Sequence, residues 1–355
     1  MVVIAKARLL PQSEADAVKA LSRDLTTGVR ADVRSLGGDD PLLYWFAPST
    51  AALIRGLERR IRHLLVGDRT ITAEGLRLEN LASVAATFYV ALFSVCRSLS
   101  APYKSSNPTW LRKPKGEERI SADRQVVLKS FTASLTGMIE ALVNREEEPE
   151  AEYSTADLLV ADSTSVRLAE ASVDLVLSSP PYCTRIDYSA ATRIELAVLH
   201  PLINLRMEDL GRSMIGSTRV PRHKIEPSEA WGATCLDLLE KIRCHPSKAS
   251  SGYYYKTHLD YFDKMERSLK NISGALKRDG RAILVVQDSY YKDVHNDLPT
   301  IISEIAQGVG LGLGRREDFY FKRSMAGINS RARSYKNAVG VSESVLCFGK
   351  IRGTE

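Results

Sequence analysis

Val173-Asp174-Leu175-Val176-Leu177-Ser178-Ser179-Pro180-Pro181-Tyr182 joins a short apolar run to two serines, two prolines and a tyrosine. The run has the length and the aliphatic content of a β-strand, and the prolines stop it. Each proline fixes its own φ at about −65° and lacks an N–H. Beyond the strand, the backbone therefore offers carbonyl oxygens at set positions with few competing donors. Ligands of open α/β sheets bind beyond the carboxyl ends of the strands, which makes Ser179 to Tyr182 the candidate site for chemistry.

From Asp157 onward, short apolar runs alternate with helical spacing. Runs at Leu158 to Ala161, Val173 to Leu177 and Ala282 to Val286 read as strands, and about His258 to Leu276 reads as a helix. A helix near Pro299 to Gly308, a strand near Asp318 to Arg323 and a last strand over Ser342 to Phe348 complete the α/β pattern. Residues about Asn204 to Tyr255 are polar and break the alternation as an insertion. The glycine-rich stretch Gly308 to Gly314 reads as a helix terminator and turn before a strand.

The first half of the chain is helical in its spacing. Met1 to Leu10 reads as a helix, and Leu53, Leu57, Ile61 and Leu65 share one face over Pro48 to Leu65. Further helices cover about Leu78 to Leu99 and Ser121 to Asn144, and the acidic run Arg145 to Glu152 reads as a solvated linker. The expected organisation is a mainly helical region over 1–150, then an α/β domain over 151–355 with an insertion at about 204–255.

Composition narrows the classes. The five cysteines are odd in number and scattered, with no CxxC pair, so neither a disulfide framework nor a zinc site is expected and a reducing cytoplasm is. His245 beside Cys244, with His258 further on, fits no usual zinc spacing, and no metal is expected. The longest apolar stretch, about Ala85 to Val95, falls short of the roughly 20 residues that span a bilayer. No signal-peptide pattern opens the chain, so a cytoplasmic protein without membrane contact is expected. A net charge of +6 suits a polyanionic partner.

Ser179-Pro180-Pro181-Tyr182 resembles the fourth sequence motif, (Ser/Asp/Asn)-Pro-Pro-(Tyr/Phe), of S-adenosylmethionine-dependent DNA amino-methyltransferases. Ordered matches extend the resemblance over about residues 156–350. Leu158 to Ser163 looks like the third-motif acid with its lead-in. Cys183 to Tyr188 and Arg193 to Leu196 look like the post-catalytic loop and fifth-motif helix. Ala275 to Val286 resembles the sixth motif, and Glu343 to Lys350 the last strand.

The resemblance implies an incomplete Rossmann-like methyltransferase fold. Asp162 would approach the cofactor's adenine, Ser178 would lie beside its methionine part, and Ser179, Pro180, Pro181 and Tyr182 would be catalytic. The chemistry suits those residue types. An exocyclic base amine is a poor nucleophile because its lone pair is delocalised into the ring. A Ser179 hydroxyl and a Pro180 carbonyl that each accept one N–H draw the nitrogen towards tetrahedral geometry, and Tyr182 can stack on a base swung out of the duplex. Ring-carbon methylation of cytosine uses a Pro-Cys pair, and here Tyr182 stands between Pro181 and Cys183.

Two family elements are missing upstream of Asp162: a glycine-rich strand-to-helix turn for the cofactor, and the acidic residue for its ribose. Val2 to Leu9 is similar to the segment that follows the second motif in full-length relatives. The expectation is thus a split enzyme whose partner polypeptide carries the glycine-rich cofactor motif, a truncated reading frame being the alternative. DNA contacts are expected from Lys104, Trp110, Arg112 and Lys113 in one basic, aromatic loop and from Arg331 and Arg333 in another; the insertion is a third candidate. Serine at the first motif position favours cytosine N4. Adenine N6 and a non-catalytic DNA-binding subunit of a modification complex stay open, and the resemblance implies restriction-modification or phage defence.

Overall fold

A computed structural model describes the chain except for residues 68–69, 104–110, 145–155, 184–186, 205–206, 322–340 and 352–355. The chain divides into two compact units: Met1–Val160 with Ala190–Arg206, and Ala161–Ser189 with Met207–Glu355.

The first unit is helical. It is built from α1 (Val2–Arg8), α2 (Ala15–Thr26), α3 (Pro48–Ile61), α4 (Ser83–Leu99) and α5 (Arg124–Val143). A short helix, α6 (Tyr188–Ala191), leads back into this unit, which α7 (Arg193–Leu199) completes. On α4, Ala85, Phe88, Tyr89, Leu92 and Cys96 are fully buried. Each large apolar side chain so buried contributes about 1.5–3 kcal/mol. Helix α5 is apolar over a length that would cross a membrane, although Lys129 and Glu140 punctuate it. One stripe of it, Val127, Phe131, Leu135 and Ile139, lies in the core of the unit. Helix α7 is tied in by charge: Arg55 pairs with Asp40 at 2.9 Å and donates to the carbonyls of Ala197 and Val198 at 2.9 Å, where a helix C-terminus leaves carbonyls unpaired.

The second unit holds a sheet of four strands in the order β1 (Val173–Ser178), β2 (Leu276–Gln287), β6 (Val341–Lys350), β5 (Leu311–Phe321). β1 and β2 run parallel, while β6 runs antiparallel to both its neighbours. A small hairpin of β3 (Ser289–Tyr291) and β4 (Val294–Asn296) follows β2. The helices are α8 (Met207–Ser213), α9 (Ala233–Cys244), α10 (Tyr255–Ala275) and α11 (Leu298–Gly308). The α/β reading is thus met, with a mixed sheet.

The sheet's two faces differ. Ala282, Leu284, Val286, Leu346 and Phe348 are buried in one core with Phe262, Met265 and Leu269 of α10 and Ile301, Ile302 and Ile305 of α11. The alternate residues point the other way. Leu177 stands in register with Ile283, which pairs with Cys347, and Val285 pairs with Val345. None of these belongs to that core, and Leu175 and Leu177 are 56% and 72% exposed. Among the described residues, β1 has a strand on one side only.

Two sequence expectations fail here. Leu158 to Ala161 forms no strand, and Leu159 and Val160 are 60% and 56% exposed, since no described strand lies beside that run to pair with it. The polar stretch 204–255 is not a bare insertion: Trp231, Cys235, Leu238, Leu239 and Ile242 recur at helical spacing and are built into the core. The glycine-rich stretch does end α11, and Gly310 turns the chain at φ +86°, but Gly312 and Gly314 lie inside β5.

Candidate active site

The polar tetrapeptide sits where β1 ends. The edge strand is held in register with β2 as far as Ser178 opposite Leu284, and the prolines then release the chain from the sheet. Ser178 is half-buried at that last paired position. The Ser179 hydroxyl donates to the Val285 carbonyl at 3.3 Å, a weak bond that leaves its oxygen lone pairs outward.

The three carbonyls that follow differ in their partners. Tyr261 of α10 donates its hydroxyl to Pro181 O at 3.0 Å. That phenol is fully buried, and desolvation raises its pKa well above the ordinary value, so it stays a donor. Tyr182 O lies against Gly216, whose φ is +73° and where a Cβ would stand 2.6 Å from that oxygen; only glycine fits. Pro180 O accepts no hydrogen bond from the described residues.

The Tyr182 ring is half-buried. Burial raises its pKa first, and the nearby charge of the Glu343 carboxylate of β6 raises it further. The phenol therefore stays neutral beside Glu343. The loop beneath is braced by Lys264, buried on α10, which pairs with Asp260 at 2.8 Å and donates to Arg212 O at 2.7 Å. Cys183 is buried in the core, as a small apolar residue would be.

Tyr261, Lys264, Gly216 and Glu343 were not legible as site residues. Tyr261 and Lys264 lie in helical text, and nothing short of the fold brings residue 343 to residue 182. Asp288, at the end of β2, was also missed: it is buried, accepts from Ser342 N at 2.8 Å and bonds His295 at 3.0 Å.

Asp162 is exposed, and its Oδ1 accepts from Thr164 N at 2.8 Å and Thr164 Oγ1 at 2.7 Å, so it closes a turn. That turn is pinned to α10 by Ser163 Oγ on Ser268 Oγ at 2.9 Å and by Asn271 donating to Ser163 O at 2.8 Å. Oδ2 of Asp162 has no hydrogen-bond partner among the described residues. Glu195, matched above to a family helix, is in the helical unit, where Arg97 grips it at 2.5 and 2.7 Å.

Of the basic and aromatic residues expected at DNA, Lys104, Trp110, Arg331 and Arg333 lie outside the described residues. Arg112 and Lys113 are exposed in the helical unit. Arg112 pairs with Glu118 at 2.9 Å and sits 5.3 Å over the Tyr103 ring, while Lys113 lies 4.0 Å over the Tyr44 ring. Desolvation first, and the Arg193 charge second, lower the Lys113 pKa. No group of metal-ligating side chains occurs among the described residues.

In comparisons with family models, curated proteins and solved structures, nothing matches the chain, so its own residues carry the reading.

Proposed function

We propose that the chain is a subunit of a DNA methyltransferase that transfers a methyl group from S-adenosylmethionine to an exocyclic base amine, cytosine N4 being favoured. One observation carries the reading: at the carboxyl end of β1, Pro180 O and the Ser179 oxygen are without described donors while the next carbonyl, Pro181 O, is taken by Tyr261. Two adjacent acceptors suit a nitrogen that carries two protons. Ser179 accepts one N–H and Pro180 O the other, which turns the nitrogen lone pair outward for attack. Tyr182, half-buried beside Glu343, offers a ring for an extruded base to stack on.

The cofactor fits this chain in part. Ser178 stands half-buried beside the acceptors, and Asp162 keeps one carboxylate oxygen free, which suits an adenine amine. When bound, S-adenosylmethionine supplies an electrophilic methyl group. The sequence upstream of Asp162 has no glycine-rich turn of the kind that holds the cofactor's methionine part. The edge of β1, unpaired among the described residues, and the apolar face bearing Leu175 and Leu177 favour a partner chain that brings that turn. An incomplete Rossmann-like sheet is consistent with both.

Nucleosides from the genomic DNA of cells with and without the gene for this chain test the proposal by liquid chromatography and mass spectrometry. Loss of N4-methylcytosine on deletion is expected, loss of N6-methyladenine would shift the target, and no change in either would overturn the proposal. Titration of S-adenosylmethionine into the purified chain tests the need for a partner, because micromolar binding by the chain alone would remove it.

A further inference from the structure

Glycines Gly312 and Gly314 are spent neither on ending a helix nor on the Ser179 site. Gly312 pairs with Gly349 of β6, which pairs in turn with Arg281 of β2, so one row across three strands reads Arg281, Gly349, Gly312. Two bare positions beside an arginine leave a cavity of about 320 Å³ lined also by Arg278, Lys350 and Gly314. It lies at the start of β2, whereas Ser179 meets Val285 further along that strand.

One cation of this cavity, Arg281, is prearranged. In β2 the register jumps from Val173 opposite Leu276 to Leu175 opposite Arg281, and the bulge closes on Gly280, where a Cβ would meet Leu276 Cγ at 2.8 Å and Val173 O at 3.0 Å. The bulge holds the Arg281 guanidinium by Nη1, which donates to Asp279 O at 3.0 Å and Gly280 O at 3.1 Å. Its Nε and Nη2 have no hydrogen-bond partner among the described residues, and neither do the side chains of Arg278 and Lys350. Three cationic residues, Arg278, Arg281 and Lys350, and one carboxylate, Asp279, are among the lining residues. A net positive lining favours an anion, and a fixed guanidinium fork matches a tetrahedral oxyanion.

We propose that this cavity binds a phosphate group, with Arg281 as the oriented fork and Arg278 and Lys350 as the closing charges. Methyl transfer is not involved, so failure here leaves the Ser179 site untouched.

Calorimetric titration of the full chain with sodium pyrophosphate at low salt tests it. Arg278→Gln with Lys350→Gln spares the backbone bonds of Arg281, and is expected to weaken pyrophosphate binding about tenfold or more. Gly314→Val removes no charge; a Cβ there meets only Cys347 O, at 3.7 Å, so the strand is kept and the cavity is filled. The same loss is expected. Lys224→Gln with Lys241→Gln takes the same charge from surface ion pairs elsewhere, and affinity should stay within about twofold. No binding by the unaltered chain, equal losses in the two double variants, or no loss with Gly314→Val would each overturn the proposal. Anisotropy of a short labelled DNA duplex then separates the sources. A parallel loss in the cavity variants assigns the phosphate to the DNA backbone, and unchanged DNA binding assigns it to a free phosphate compound.

Discussion

The two faces of the four-stranded sheet are made of the same kinds of residue and meet opposite fates. Ala282, Leu284, Val286, Leu346 and Phe348 are buried beneath α10 and α11, whereas Leu175 and Leu177 on the alternate positions stand mostly in water. Strand alternation normally puts polar residues on a solvated face. The exposed leucines of the second face lie on β1, which among the described residues has a strand on one side only, and Ser179 leaves the sheet at the end of that same strand.

The largest expected effect lies on the covered face. Phe348→Ala removes a fully buried ring and should cost about 3–5 kcal/mol in denaturant unfolding; a loss below about 1 kcal/mol would break the contrast. Acid should act next, through the helix that closes this face. His258 on α10 is buried, and desolvation lowers its pKa to about 4 although its Nδ1 donates to Tyr254 O at 2.7 Å. Its folded pKa lies below the unfolded value of 6.5, so the unfolded chain binds the extra proton first. Stability is full above about pH 6.5 and falls as pH drops through about 4, by roughly 3 kcal/mol in all. His258→Gln should flatten that slope in unfolding measured across the pH range.

Tyr261→Phe comes third, because it strips the donor from Pro181 O and leaves the packing. A stability loss of about 1 kcal/mol is expected, with methyl transfer falling further than stability does, since Pro180 is fixed through its neighbour. On the bare face, Leu177→Ala should change the unfolding free energy of the chain alone by less than about 0.5 kcal/mol. If the loss instead matched a core leucine, the face would be covered already.

Much of the second unit was legible in the sequence because period and punctuation agree there. Val173 to Leu177 is apolar and ends at two prolines, and α11 stops at Gly308. Leu158 to Ala161 was misread because an apolar run becomes a strand only where another strand pairs with it. The segment 204–255 was misread because its apolar residues, Trp231 to Ile242, are sparse and only helical spacing gathers them. At the site, Ser179 and Tyr182 were legible as chemistry, but the partners that hold the loop, Tyr261, Lys264 and Glu343, come from distant text and depend on tertiary packing.

The central claim is that the Ser179 and Pro180 oxygens accept the two protons of a base amine. Its most direct test is methyl transfer from labelled S-adenosylmethionine to DNA by the tagged chain isolated with whatever it binds in its own cells. Comparison is made among the unaltered chain, Ser179→Ala and Tyr182→Ala. A fall of about 100-fold or more is predicted for each variant, and a rate left unchanged by both would contradict the account.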